Sequence, residues 1–293
     1  MTPFVEDRIV GHDGTELAVR VAGEGPLVVL ANGLGGSLGA WRPFLERLSP
    51  GRCIASWDYR GLYKSGPPAR PHAVTVEDHA RDLGAVLDWL GGGPAVLVGW
   101  SMGVQVVVER ALDQPRDAAG LVLVSGAPGD PLAGVLHTAA SRHLVPPLTW
   151  AVEAAALPFG LAMRALTVAP RPAVAALRGL GVLADGVDMD VFADLAHDFA
   201  RLDWRVYTRT VRAMGRHDAW GRLGELRVPT LVVGGTADRF LPTATVEAMA
   251  RVIPAAELCL LEGATHYLPV EFPGELAACV DRFLAERVRR ARR

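Results

Sequence analysis

Gly99-Trp100-Ser101-Met102-Gly103 sets a serine between two glycines, directly after the apolar run Ala95–Val98 and directly before Val104–Leu112. A sharp strand-to-helix turn of this kind holds its middle residue in a strained conformation and aims the hydroxyl outward. It also leaves the Met102 N–H at a helix N-terminus, where developing negative charge is favoured. Glycine is abundant, at 32 of 293 residues, and a second match exists at Gly35-Gly36-Ser37-Leu38-Gly39. Ser37 lies four or more residues past its strand, in a glycine-rich loop, so Ser101 is preferred as the nucleophile. A serine hydroxyl needs a base. Five histidines follow Ser101, and His266 alone sits just beyond a buried-strand run, in Glu262-Gly263-Ala264-Thr265-His266. An acid must hold that base in one tautomer. Asp238, in Gly234-Gly235-Thr236-Ala237-Asp238, follows the preceding strand, and Asp130 is the other candidate. Ser101, Asp238 and His266 occur in the order serine, acid, histidine, each after a different strand. A second oxyanion donor is expected at Leu34, in Asn32-Gly33-Leu34-Gly35-Gly36.

The elements that must position these residues are legible as alternating text. Val5–Val10 and Glu16–Val21 flank His12-Asp13-Gly14, a hairpin signal. Leu27–Ala31, Cys53–Trp57, Ala95–Gly99, Leu121–Ser125, Thr230–Gly234 and Glu257–Leu261 are short runs, apolar on both faces. Such runs suit strands of a parallel sheet covered on two sides. Helical text separates them at Trp41–Leu48, Val76–Leu90, Thr245–Val252 and Gly274–Arg289. The alternation predicts an α/β fold with a mostly parallel sheet of about eight strands. Val104–Val108 is β-branched enough to read as a strand, but the serine turn requires a helix there. Between Asp130 and Leu226 no strand signal occurs, only Ala/Leu-rich helical text cut by Pro146-Pro147, Pro158, Pro170 and Pro172. That interval is too long for a loop. It reads as an inserted helical lid, residues 130–226, on a core formed by residues 1–129 and 227–293.

Composition narrows the function classes. Half the residues are hydrophobic and 21% are charged, which excludes a mostly disordered chain. A formal charge of −2 argues against a general nucleic-acid binder. Three cysteines, an odd number without C-x-x-C spacing, predict no disulfide framework and a reducing compartment. No apolar leader follows Met1, and the most apolar stretch, Leu144–Val168, is broken by Glu153, Arg164 and prolines. A cytoplasmic location without membrane insertion is expected. No H-E-x-x-H or clustered ligand set suggests a metal. The C-terminal arginines from Arg287 to Arg293 read as a solvated helix end.

The Gly-Trp-Ser-Met-Gly turn, the Asn32-Gly33 loop, Trp57-Asp58-Tyr59-Arg60-Gly61, Gly-Thr-Ala-Asp238 and Gly-Ala-Thr-His266 together resemble the α/β-hydrolase superfamily over nearly the whole chain. The resemblance implies a Ser101–His266–Asp238 triad and a lid after the sixth strand. Asn32 stands where the family commonly has histidine, and Tyr63 stands at the second glycine of its Asp-x-Arg-Gly-x-Gly-x-Ser pattern. Asp58 and Arg60 are expected to brace a turn. Ser101 distinguishes the chain from the superfamily's dehalogenases and epoxide hydrolases, which carry aspartate at that turn.

The expected activity is hydrolysis of a small carboxylic ester, with no cofactor, through an acyl-enzyme on Ser101. The N–H groups of Leu34 and Met102 would hold the oxyanion. Trp100 and the apolar lid residues Trp150, Phe159 and Met163 are expected to bind an apolar acyl or alcohol part. The same triad could open a lactone, hydrolyse a carbon–carbon bond or transfer an acyl group. A non-catalytic receptor or scaffold is the remaining alternative.

Overall fold

The computed structural model describes residues 3–48, 50–129, 139–167, 170–184, 187–254 and 256–288. Eight strands form one sheet in the order β1-β2-β4-β3-β5-β6-β7-β8. The strands are β1 (Val5–Val10), β2 (Glu16–Ala22), β3 (Leu27–Ala31), β4 (Cys53–Trp57), β5 (Ala95–Trp100), β6 (Ala118–Val124), β7 (Thr230–Gly235) and β8 (Ala256–Leu261). β1 pairs antiparallel with β2, and β2 pairs antiparallel with β4; every other pair is parallel. All eight anticipated strands form, with ends shifted by up to three residues.

Two hydrophobic layers explain why the central strands are apolar throughout. Val29, Ala31 and Leu97 join one buried cluster, while Val28, Leu30, Val96 and Val98 join the other. Successive side chains point to opposite faces of a strand, so a sheet covered on both faces must be apolar at every position. The first cluster includes residues of α2 (Val76–Trp89), α3 (Met102–Asp113) and α9 (Thr243–Val252). The second includes residues of α1 (Arg42–Leu48), α10 (Leu268–Glu271) and α11 (Pro273–Phe283). α11 continues into one π-helical turn, Leu284–Val288. The β-branched run Val104–Val108 does lie in a helix: Val104, Val106, Val107 and Val108 are all fully buried. Tertiary packing here overrides the weak strand preference of valine.

Between β6 and β7 the described residues contain only helical elements, turns and loops. The longer helices are α4 (Ala139–Ala154), α5 (Ala156–Leu166), α6 (Pro170–Gly179), α7 (Met189–Ala200) and α8 (Trp204–Met214). The prolines cut this text less than expected. α4 runs through Pro146 and Pro147, while Pro158 and Pro170 sit in first helical turns, where a missing N–H costs nothing. Glu153 of α4 receives hydrogen bonds from Arg209 and Arg212 of α8, and the Arg212 guanidinium lies 4.0 Å over the Trp150 ring. α4 and α8 are thereby joined.

Asp58 and Arg60 brace the β4 turn, though not by pairing with each other. Asp58 accepts two hydrogen bonds from Arg20, each 2.9 Å. Arg60, fully buried, donates to Asp82, Asp13 and the Ala73 carbonyl. Tyr63 has φ +52°, a left-handed conformation that glycine adopts more cheaply. The cysteine expectation is overturned for two of the three residues. Cys259 of β8 and Cys279 of α11 are joined in a disulfide, and Cys53 is free and half-buried. Sequence spacing could not show that the two lie side by side between a strand and its covering helix. At the C-terminus, Arg287 pairs with Glu257 at 3.2 Å, and the remaining arginines lie outside the described residues. No helix among the described residues is long and apolar enough to cross a membrane.

Candidate active site

Ser101 occupies the sharp turn between β5 and α3. Its φ of 54° and ψ of −116° are costly for a residue with a side chain. Two close approaches keep it there. A Cβ on Gly99 would stand 2.4 Å from the Gly103 carbonyl oxygen, and one on Gly103 would stand 2.1 Å from that of Ala31. No larger residue fits, so β5 and α3 can meet at this angle only through glycine.

Asp238 and His266 arrive from the loops after β7 and β8. His266 Nε2 is 2.9 Å from Ser101 Oγ, and His266 Nδ1 is 2.9 Å from Asp238 Oδ2. Asp238 is itself fixed, because its Oδ1 accepts the N–H groups of Phe240 at 2.8 Å and Leu241 at 2.9 Å. The Trp100 indole N–H donates to the His266 carbonyl at 2.9 Å, which ties the histidine loop back to β5. The three side chains thus form a single hydrogen-bonded line with one carboxylate oxygen free to serve the imidazole. Such a line can draw a proton from a hydroxyl as it attacks a carbonyl carbon.

A place for the resulting negative charge adjoins the serine. Leu34 and Met102 both line the cavity that holds Ser101. Met102 is the first residue of α3, at the positive end of a 12-residue helix. Among the described residues, the backbone N–H of Leu34 serves no protein acceptor. Gly33 brings that loop closer to the serine than an ordinary side-chain contact: a Cβ there would lie 3.3 Å from the Ser101 Cβ. Asn32, in the place of the family's histidine, is buried and holds the loop. It accepts from Trp41 Nε1 at 2.8 Å and donates to the Trp57 carbonyl at 3.2 Å, while its own carbonyl accepts from Tyr59 at 2.7 Å.

The competing candidates are not assembled this way. Ser37 lines a separate cavity of about 720 Å³ beside His197, and no hydrogen bond joins it to a histidine among the described residues. His217 is hydrogen-bonded to Glu109 at 3.0 Å. Asp130, His137 and the side chain of His143 lie outside the described residues.

The cavity above Ser101 measures about 320 Å³. None of the four residues expected to bind substrate lines it. Trp100 packs edge-on against Trp41 with its indole N–H taken by His266. Trp150 is exposed on α4, Phe159 stacks edge-on against Trp204, and Met163 also lies on α5. The stretch between β6 and β7 reaches the cavity through α8 instead, by Tyr207, Val211 and Met214, and Gln105, Ser125, Phe240 and Tyr267 complete much of the wall. Burial pushes the Tyr207 and Tyr267 hydroxyls up, so both remain neutral donors. Two of the missed residues did carry a signal: Gln105 interrupts the valine run of α3, and Ser125 ends the apolar run of β6.

The family model described as alpha/beta hydrolase fold matches residues 26–273. Polyketide synthase ThaQ of Burkholderia thailandensis is 33% identical over 95% of this chain, which spans only 13% of that synthase. Putative carbamate hydrolase RutD of Variovorax paradoxus is 30% identical over 84% of this chain and 84% of its own length. Among solved structures, the enol-lactonase from Burkholderia xenovorans LB400 superposes with a TM-score of 0.76 at 25% identity, covering 96% of this chain and 100% of that one. The esterase RhEst1 from Rhodococcus sp. ECU1013 superposes with a TM-score of 0.75 at 25% identity, covering 96% and 98%.

Proposed function

The chain belongs to the alpha/beta hydrolase fold family, and from that premise we propose that it is a serine hydrolase of carboxylic esters working through an acyl-enzyme on Ser101. The observation that carries the reading is the continuous line from Asp238 through His266 to Ser101, with both links at 2.9 Å. In this reading His266 Nε2 takes the hydroxyl proton as Ser101 Oγ bonds to the carbonyl carbon. The carbonyl electron pair moves onto oxygen, where the N–H groups of Leu34 and Met102 receive it. Collapse of the tetrahedral species breaks the bond to the alkoxy oxygen, which leaves with the proton from His266. Water repeats the sequence, returning the serine hydroxyl and releasing a carboxylic acid. Asp238 holds Nδ1 protonated and stabilises the imidazolium. These groups supply base, nucleophile and anion stabilisation without a cofactor. Residues 130–226 act as a lid on a core of residues 1–129 and 227–293.

A second reading, carbamate hydrolysis, is favoured by the 30% identity to a putative carbamate hydrolase along 84% of each chain. The same groups would attack a carbonyl flanked by nitrogen and oxygen. Parallel assays on p-nitrophenyl butyrate and a p-nitrophenyl carbamate decide between them.

The test of the serine is direct. A fluorophosphonate should modify Ser101, as read by peptide mass. Ser101→Ala should lower kcat on p-nitrophenyl butyrate by about 10⁶, the scale seen where such residues act as a unit. A variant as fast as the parent refutes the proposal.

A further inference from the structure

Two residues that line the Ser101 cavity each carry a buried polar atom without a partner. Gln105 Oε1 and Ser125 Oγ are buried without a hydrogen bond, in residues that are 1% and 0% exposed. Both residues line the cavity of Ser101. The Gln105 amide cannot turn to relieve this, because its Nε2 already donates to the carbonyls of Gly129 at 3.0 Å and Met214 at 3.1 Å. Its free oxygen is therefore an acceptor with a fixed position. Ser125 is held by its own backbone: φ is +43° and its N–H donates to the Val233 carbonyl at 2.9 Å. Most buried polar atoms in proteins find partners. Two residues beside the nucleophile, in a cavity that Ser101, His266, Tyr207 and Tyr267 also line, carry such orphans and are placed for a group that arrives with the substrate.

We infer that Gln105 and Ser125 are specificity determinants that read a hydroxyl on the acyl part of the substrate, so that the preferred substrates are esters of hydroxy acids. The inference rests on the serine-hydrolase reading above and deepens it. A hydroxyl fits the pair chemically. It can donate to the acceptor-only Gln105 Oε1 and accept from the Ser125 O–H, whereas an amide N–H would donate only. The acyl side follows from the proton path. The leaving oxygen must meet His266 Nε2, which enters from β8. Gln105 and Ser125 stand beside the serine, on α3 and at the end of β6.

The test uses matched p-nitrophenyl esters whose acyl chains carry a hydroxyl or a methyl at the same carbon, C3, C4 or C5. For the best-placed hydroxyl, kcat/KM should exceed that of the methyl partner by about 10- to 100-fold, and methylating that hydroxyl should abolish the advantage. Ser125→Ala should lower the hydroxyl-to-methyl ratio about tenfold, and Gln105→Met should do the same. Gln105→Met also removes the bonds to Gly129 and Met214. If it does not fold, Ser125→Ala decides alone, since it deletes only the orphan oxygen. Equal rates for every pair would mean that the two atoms hold water only, and would overturn the inference while leaving the esterase reading intact. A preference confined to hydroxyls in the alcohol part, or an equal preference for amide-bearing acyl chains, would overturn it too. If no ester turns over and Ser101 does not label, both readings fall.

Discussion

Asp238→Asn tests the proton line with almost no change of shape. The two oxygens of Asp238 have different duties: Oδ1 accepts two backbone N–H groups, and Oδ2 faces His266 Nδ1 at 2.9 Å. An asparagine must choose which duty to keep. Turning its NH₂ toward Phe240 and Leu241 would leave those two buried donors facing another donor, at about 1–3 kcal/mol each. The favoured orientation keeps the oxygen there and presents the NH₂ to Nδ1. His266 must then accept at Nδ1 and carry its proton on Nε2, where it can no longer remove the proton of Ser101. The negative charge that balances the imidazolium is lost as well. Together these should lower kcat on p-nitrophenyl butyrate by about 10⁴, near 5 kcal/mol of barrier. The melting temperature should move little, because the loop keeps both backbone hydrogen bonds. A folded Asp238→Asn protein within tenfold of the parent would show that Asp238 does not set the tautomer of the base.

Two further outcomes follow from the surroundings of the site. Trp100→Phe removes the 2.9 Å bond to the His266 carbonyl but keeps a ring against Trp41. It should lower kcat about three- to tenfold with KM nearly unchanged and cost ~1 kcal/mol of stability. A raised KM at constant kcat would instead make Trp100 a substrate contact. His79 is fully buried, and neither ring nitrogen has a partner. Burial pushes its pKa from 6.5 down to about 4. Between those values the unfolded chain binds a proton that the folded chain refuses, so stability falls as pH drops from about 6.5 to about 4, by up to ~3 kcal/mol. His79→Phe should lose less stability over that interval, by urea unfolding at pH 7 and pH 4.5. Equal acid losses in both proteins would refute it.

Strand positions were legible because burial on two faces leaves no room for polar residues. Leu27–Ala31 shows this most clearly and forms within the bounds read from sequence. Ser101, Asp238 and His266 were legible for a related reason: each stands just past such a run, where loops gather at one end of a parallel sheet. The cavity wall was not. Trp150, Phe159 and Met163 have the right composition, but composition does not say which side of a helix faces inward. α8 supplies part of the wall, and Glu153 of α4 is bonded to two of its arginines, a contact remote in sequence. The cysteine pair was missed likewise, because adjacency across β8 and α11 is a tertiary fact. Asp58 and Arg60 were rightly read as braces, yet their partners, Arg20 and Asp82, are remote in sequence.

The origin of the cavity's parts has an evolutionary corollary. Ser101, Leu34, Asp238 and His266 all issue from strand ends of the sheet, whereas Tyr207, Val211 and Met214 come from one contiguous stretch between β6 and β7. Separate portions of the gene therefore encode the candidate triad and the α8 part of the cavity wall. Substitutions in the stretch can reshape that part of the wall while leaving Ser101, Asp238 and His266 in line.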